Sequence, residues 1–488
     1  MIAKVWTAKF GVKSSDKITI EIAKTSTSLP RISLLGIPAS EAIASKERVL
    51  TACRQAGIRF PHAKITINLH SQAKIAKSSG LEFAIAVGLM QIHDQIPKDK
   101  YQVLGGLSLD GNIEPVEGHY SALQSLAENS KLPVWVSPTY LPVDCQAAWS
   151  RNLRIVNDIT EFLACATGKQ KPTKFSFGGY ELMSPKYEQL PQMVSPGLAN
   201  CLQLVLSGGH HCLLLGAPGV GKTHAKLILS ALMPALSPAS ALQRQLTLNI
   251  SNWSPGNQRL MAPAPSITRT ALLGSQHQRG LIDSLTHSIL FLDELPSWRR
   301  ECLASLRPLL DPDRLSAQLE KNDYALSDEE SNNNFCCVAT ANPCPCGFWG
   351  LPQCQCTPAD VERYLQRFSG ALRDRFDITW RVSDLDSQLF KHEDWQNYYQ
   401  AILSARQRQR ERIKNGFPTY ARLYSWPQLR SLAPKKLIKY WERQKRQISW
   451  RKLLQQARVA CTIADLQNDQ LDQSHYELAG MYVQNSSK

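Results

Sequence analysis

Residues 208–223 read Gly208-Gly-His-His-Cys-Leu-Leu-Leu-Gly216-Ala-Pro-Gly219-Val-Gly221-Lys222-Thr223, an apolar run feeding a glycine loop that closes on lysine and threonine. The pattern Gly216-x-x-x-x-Gly221-Lys222-Thr223 is that of a Walker A phosphate loop. Its setting fits, because 211–215 predicts a strand and 223–232 predicts a helix. Gly216, Gly219 and Gly221 free the backbone to wrap phosphates, so that N–H groups and the helix N-terminus face the anion. Lys222 adds charge near the terminal phosphates of ATP, and the Thr223 hydroxyl is a candidate Mg²⁺ ligand.

Residues 233–288 carry prolines at 234, 238, 255, 263 and 265 and predict loops and short elements. The next firm element is Ser288-Ile-Leu-Phe-Leu-Asp293-Glu294. Four apolar residues ending in two carboxylates suit a buried parallel strand whose C-terminal edge faces a nucleotide. Asp293 is then the candidate to hold Mg²⁺ through water and Glu294 the candidate to polarise the attacking water. An apolar run before acid is common in isolation; downstream of a phosphate loop it is the expected Walker B. A helix is predicted from Trp298 to Leu310, a polar stretch to Asn334, and a strand from Phe335 to Ala341 that ends at Asn342. Asn342 either aligns the lytic water and senses the γ-phosphate or simply turns the chain.

Asn342-Pro-Cys344-Pro-Cys346-Gly is followed by Cys354-Gln-Cys356. Four cysteines in two close pairs can surround a tetrahedral Zn²⁺ as a structural site, although each pair is tighter than the usual C-x₂-C. Four reduced thiols or a labile redox pair are the alternatives. The segment Arg363–Asp377 predicts a basic helix leading to a strand at 378–382. Residues 383–488 read as helical, with basic runs at Arg406–Lys414 and at Lys435, Lys436, Lys439, Arg443, Lys445 and Arg446. Such runs either contact phosphates or form solvated helix faces, the commoner case.

On the N-terminal side, 1–165 predicts a mixed α/β domain. Strands are expected at Ile2–Val12, Lys17–Ile22, Ala63–Leu69, Pro133–Ser137 and Leu153–Val156, helices at Ser40–Ala56 and Gly80–Met90, and an Asp110-Gly111 hairpin joining 103–109 to 112–116. Residues 166–195, rich in Lys, Pro, Ser and Gly, predict a linker. The ATPase core is then 196–382 and the helical lid 383–488.

The chain has 488 residues, enough for two or three cores, and 43% hydrophobic content. Its 56 Lys plus Arg against 41 Asp plus Glu give a net charge of +15, which favours polyanions such as nucleic acid or an anionic membrane surface. Neither a signal peptide nor a membrane-spanning stretch is legible, so a cytoplasmic location and no membrane partner are expected. The 13 cysteines then read as thiols rather than as a disulfide framework.

Gly36-Ile-Pro38, Lys64–Leu69, Leu104–Val116, both Walker segments, Ala341-Asn342-Pro-Cys-Pro-Cys-Gly347, Arg363-Tyr-Leu, Ser369-Gly, Asp374-Arg-Phe-Asp377 and Thr462-Ile-Ala-Asp-Leu466 together resemble the ComM/YifB family of Mg-chelatase-like AAA+ ATPases over nearly the whole chain. The resemblance implies an α/β fold in three parts: a Lon-protease-like domain of the ribosomal S5 domain 2-like type, an AAA+ P-loop core with a parallel sheet, and a C-terminal helical lid. It implies ATP and Mg²⁺ as ligands and hexamers around single-stranded or branched DNA. It further implies helicase or branch-migration activity in recombination during natural transformation, with recombination proteins as partners. Arg375 is the candidate finger reaching a neighbouring subunit's nucleotide, and Arg451 the lid's candidate sensor 2. The protease serine and lysine positions fall at Leu81 and Tyr120, so a non-catalytic scaffold is expected. The chain departs from the family at 258–265, where of a basic, His-His stretch only Arg259 remains and Ala264 and Pro265 stand for the histidines, and at Leu281, where a carboxylate is lost. The insert before Asn342 carries Asp323, Asp328, Glu329 and Glu330, which would repel a phosphate backbone. Two other classes compete with a DNA motor: a metal-chelatase motor subunit, and an interaction protein holding ATP as a structural ligand.

Overall fold

The computed structural model describes residues 2–10, 15–25, 31–58, 63–71, 80–114, 122–123, 125–126, 132–137, 152–174, 187–236, 259–275, 280–311, 335–368, 370–383 and 387–483. The chain forms two compact units, residues 1–181 with 236–255 and residues 182–235 with 256–488.

In the first unit the strands are β1 (Ile2–Phe10), β2 (Ser15–Thr25), β3 (Arg31–Leu35), β4 (Lys64–His70), β5 (Tyr101–Leu104), β6 (Gly106–Leu107), β7 (Ile113–Glu114), β8 (Val134–Val136), β9 (Leu153–Ile155) and β10 (Thr173–Lys174). Eight of them form one sheet in the order β10-β9-β8-β5-β1-β2-β4-β3, and β6 pairs with β7 in a short hairpin. Alternation fixes the register of the central pair: Val5 lies opposite Ile20, and Ile18, Ile20 and Ile22 are all buried. The helix Glu82–Ile92 is buried along its whole length and crosses this face. At Gly88 an added Cβ would stand 2.5 Å from Ile22 Cδ1, so the small residue permits the close approach. Leu81, the serine position of the protease resemblance, is fully buried, while Tyr120 lies outside the described residues. The stretch read as one hairpin strand, 103–109, is split between β5 of the large sheet and β6 of the hairpin. The break falls at Gly105, whose φ is +155°.

The stretch 166–195, read as a linker, contributes to sheets on both sides of the division. Within it, β10 pairs with β9, and β11 (Met193–Val194) pairs in the second unit with β17 (Gln388–Leu389).

The second unit is built on a parallel sheet of β12 (Cys212–Leu215), β13 (Leu260–Met261), β14 (Ile289–Leu292), β15 (Cys336–Ala341) and β16 (Ile378–Arg381), in the order β13-β14-β15-β12-β16. The segment expected to be loops and short elements supplies a two-residue edge strand, β13. Residue alternation separates two cores: Leu214, Phe291 and Val338 lie on one face, and Leu213, Leu290, Leu292 and Ala339 on the other. The chain leaves β12 for one edge of the sheet and later returns past it to place β16. The crevice at the carboxyl ends beside β12 is therefore a topological switch point, where such sheets hold ligands.

The C-terminal helices His392–Ile413, Trp426–Leu432, Lys435–Gln444, Trp450–Leu466 and Gln473–Val483 share a core with this sheet. Several basic residues of the run 406–414 are committed to that packing. Arg412 grips the buried Asp465 with both terminal nitrogens, at 2.8 and 2.5 Å. Arg406 is buried, with its guanidinium 4.0 Å over the Tyr420 ring. The second basic cluster is an exposed helix face whose opposite side buries Leu437 and Trp441.

At the entry to β12, the His211 N–H donates to Asp377 Oδ2 at 2.9 Å, and His211 Nδ1 accepts from the Cys337 N–H at 2.9 Å. The second bond requires an unprotonated Nδ1. Burial, followed by the charge of Arg422, holds the His211 pKa well below the ordinary histidine value. Below about pH 6.5 the unfolded chain binds a proton here that the folded chain does not, so stability falls with pH by up to about 1.4 kcal/mol per unit. Urea unfolding compared at pH 7.5 and 5.5 therefore gives a lower midpoint at 5.5, and His211→Gln flattens that dependence. An unchanged pH dependence in the variant would place the titrating group elsewhere.

Candidate nucleotide site

The phosphate loop joins β12 to the helix Lys222–Ala231, and Gly219 and Gly221 hold φ of +85° and +90°, where a side chain is strained. Gly216 is closed in by a different constraint: an added Cβ would lie 2.7 Å from Val220 Cγ2 and 3.1 Å from Val382 O. Lys222 turns back across the loop. Its Nζ donates to Gly216 O at 2.6 Å and to Asn342 Oδ1 at the tip of β15. Burial lowers the Lys222 pKa, and the nearby Asp293 and Glu294 oppose that shift. Its hydrogen-bond partners among the described residues are thus neutral oxygens, an arrangement that favours an incoming anion. Thr223 is exposed in the first turn of the helix.

β14 is buried throughout and ends at Asp293 and Glu294, both exposed. Glu294 sits at φ +47° and ψ +58°, in the left-handed region that costs a non-glycine residue about 1 kcal/mol or more. Thr340, on the neighbouring β15 and fully buried, holds this turn. Its hydroxyl donates to Asp293 Oδ1 at 2.5 Å and accepts from the Glu294 N–H at 3.0 Å. The Trp298 indole N–H adds a bond to Asp293 O at 2.9 Å. Sequence reasoning missed Thr340, because a threonine inside an apolar strand reads as a β-former. Its pairing opposite Leu214 and its place two residues before Asn342 supply the signal only once strand order is known. Tyr364 also comes to this corner. Burial pushes its phenol up to about 12, against a hydrogen bond with the Asn342 backbone.

Lys222, Asp293, Glu294 and Asn342 are therefore brought together as the sequence suggests. Arg375 and Arg451 form a second cluster. Each guanidinium lies 3.3 Å from Asp311 Oδ2, and Arg375 also donates to Ala371 O. Of the acidic neighbours in sequence, Asp377 is turned inward to His210 and His211. The four cysteines converge. Cys344 Sγ lies 3.3 Å from Cys346 Sγ and 3.8 Å from Cys354 Sγ, and all four sulfurs, including that of Cys356, lie within 4.8 Å of one another. Backbone hydrogen bonds with Phe348 and Gln355 lower the Cys346 thiol to about 6. The acidic insert positions 323, 328, 329 and 330 lie outside the described residues. Of the divergent stretch 258–265, Arg259 donates to Pro234 O.

Lys222→Ala removes the ammonium from the loop, and ATP binding measured by fluorescence anisotropy drops at least a hundredfold. Thr340→Val leaves the Glu294 N–H without its hydroxyl partner. Its kcat for ATP falls about tenfold or more while ATP affinity stays within about twofold. Equal losses in kcat and affinity would show that Thr340 does not act through Glu294.

The family described as magnesium chelatase, subunit ChlI, matches residues 196–389, its ChlI-subunit description matches 20–139, and the ChlI C-terminal description matches 392–482. The uncharacterized protein YifB of Escherichia coli is 27% identical, covering 97% of this chain and 95% of its own length. The competence protein ComM of Haemophilus influenzae is 28% identical over 77% of this chain and 75% of its own. An uncharacterized protein of Mycobacterium tuberculosis is 27% identical over 86% and 85%. The parallel sheet, the phosphate loop at its switch point, the helical C-terminal region and these matches agree: the chain is a divergent member of the Mg-chelatase-like ComM/YifB family of AAA+ ATPases.

Proposed function

We propose that this ATPase works as a homo-oligomeric ring, a hexamer by family resemblance, that couples ATP hydrolysis to movement on single-stranded or branched DNA. Helicase or branch migration during uptake and recombination of DNA is the task, and similarity to the competence protein ComM supports it.

Lys222 and the loop N–H groups bind and orient the terminal phosphates. Glu294 accepts the proton of the attacking water as its oxygen bonds to the γ-phosphorus, and the bond to the bridging oxygen of ADP breaks. Asn342, already in contact with Lys222, positions that water. Mg²⁺ would supply charge neutralisation for the phosphates. Thr223 and Asp293 suit it as hard oxygen donors, and Asp293 commits only Oδ1 to the described hydrogen bonds. Arg375, gathered with Arg451 on Asp311, is assigned to the nucleotide of an adjacent subunit, where its charge stabilises the transition state, and Arg451 is assigned as the lid's sensor 2.

The single observation that carries the DNA part is a cleft of about 630 Å³ between the helices Arg300–Leu309 and Pro358–Leu365. Arg300, Arg307, Arg363 and Arg367 line it, and no acidic residue does among the described residues. Asp360 stands 3.6 Å from Arg363. Four guanidinium groups around one concavity suit a phosphodiester chain better than a neutral or cationic ligand. A porphyrin-metallating motor, the competing class, has no use for a salt-sensitive phosphate track.

Arg300→Ala/Arg367→Ala removes two of these charges. The slope of log affinity for single-stranded DNA against log salt concentration falls by about 1.4 from its wild-type value. An unchanged slope would exclude the cleft as a DNA surface, and DNA affinity that is absent in the wild type would turn the reading toward the chelatase class.

A further inference from the structure

We propose that Cys344, Cys346, Cys354 and Cys356 hold one Zn²⁺ as a tetrathiolate knot, and that this knot braces the phosphate loop through contact of Gly347 with Pro218. The coupling rests on the nucleotide-site reading of Lys222 and Asn342 and not on the DNA reading.

The sulfur geometry is the first support. Zinc–sulfur bonds of about 2.3 Å in a tetrahedron require sulfurs about 3.8 Å apart. The separations of 3.3, 3.8 and 3.6 Å among Cys344, Cys346 and Cys354 match that edge. They are far from the roughly 2.05 Å of a disulfide. Four thiolates with no histidine or carboxylate make a closed site of the structural kind, and soft sulfur donors select zinc over Mg²⁺. The loop is folded to present them: Gly347 N–H bonds Cys344 O at 3.0 Å, Cys354 N–H bonds Leu351 O at 3.0 Å, and Gly350 takes a φ of +88° at the turn.

The position of the knot is the second support. It begins two residues after Asn342, whose Oδ1 accepts from Lys222. Gly347 is buried at φ +90°, and an added Cβ would stand 2.5 Å from Pro218 Cδ and 3.0 Å from Pro218 Cγ, both in a rigid ring of the phosphate loop itself. After Cys356 the chain enters the helix Pro358–Leu365 through a Thr357 capping box, and that helix returns Tyr364 to the Asn342 backbone. Loop, strand tip and helix thus meet on the knot. With zinc bound the segment 344–356 is a rigid wedge; without it the wedge relaxes, and both the Pro218 turn and the Asn342 amide lose their stop.

The full-length protein is tested for metal by elemental analysis and for nucleotide by titration with a fluorescent ATP analogue, with Lys222→Ala as the non-binding control. One zinc per chain is expected. Gly347→Ala keeps that zinc yet binds the analogue at least tenfold more weakly, because the methyl displaces Pro218. Cys354→Ser loses the zinc and weakens binding to a similar extent. Less than about 0.2 zinc per chain, or iron in its place, would overturn the metal assignment. Zinc at one per chain with wild-type affinity in Gly347→Ala would overturn the coupling. Wild-type protein that fails to bind the analogue would instead remove the nucleotide-site reading beneath it.

Discussion

The contact between the Lys222 ammonium and the Asn342 amide oxygen joins two strands that are neighbours in space and 120 residues apart in sequence. It exists only because β12 and β15 pair in parallel with Leu215 opposite Ala341, so that the loop after one strand and the residue after the other leave the sheet together. The apolar strand sequences set that register through the two cores on either face. A half-buried lysine among neutral oxygens is held where its charge is poorly solvated, and an anion restores what burial removes. The rest of the corner is built to keep that geometry, including the Thr340 clasp on Asp293 and Glu294 and the approach of Tyr364 to Asn342.

The left-handed turn at Glu294 is the one strained backbone position in this corner outside glycine. It aims a carboxylate out of the end of a buried strand instead of letting the chain continue into the 3₁₀ turn Leu295–Ser297 directly. The strain is tolerated because three hydrogen bonds, from Thr340, the Glu294 N–H and Trp298, fix the residues around it. Strain and satisfaction therefore sit on adjacent strands of the same parallel sheet, and substrate chemistry inherits its precision from sheet pairing.

Much of this was legible before any coordinates. The glycine loop, the acid-ended strand and the Asn-tipped strand announce themselves because each is a local pattern: an apolar run followed by a residue type suited to one task. The cysteine pairs were legible as a cluster for the same reason. Partners chosen by tertiary packing were not. Arg375 lies beside Asp374 and Asp377 in sequence, yet its guanidinium meets Asp311, because Asp377 is committed to the His210 and His211 entry into β12. The basic run at 406–414 left phosphate contact and a solvated helix face both open, and three of its arginines prove to be packing residues, since a helix shows its faces only against its neighbours. β11 was missed, and β13 was foreseen only as an unspecified short element, because two-residue strands have too few side chains to display a period.

The arginine-lined cleft, the paired arginines on Asp311 and the four-cysteine cluster all lie in the same unit as the phosphate loop. The direct measurement is the steady-state ATPase rate with and without single-stranded and forked DNA, with Glu294→Gln as the blank. A motor on DNA turns over ATP faster when DNA is added, loses that stimulation as salt rises, and shows no turnover in the blank. Wild-type turnover that is indifferent to both DNAs, or turnover that persists in Glu294→Gln, would contradict it.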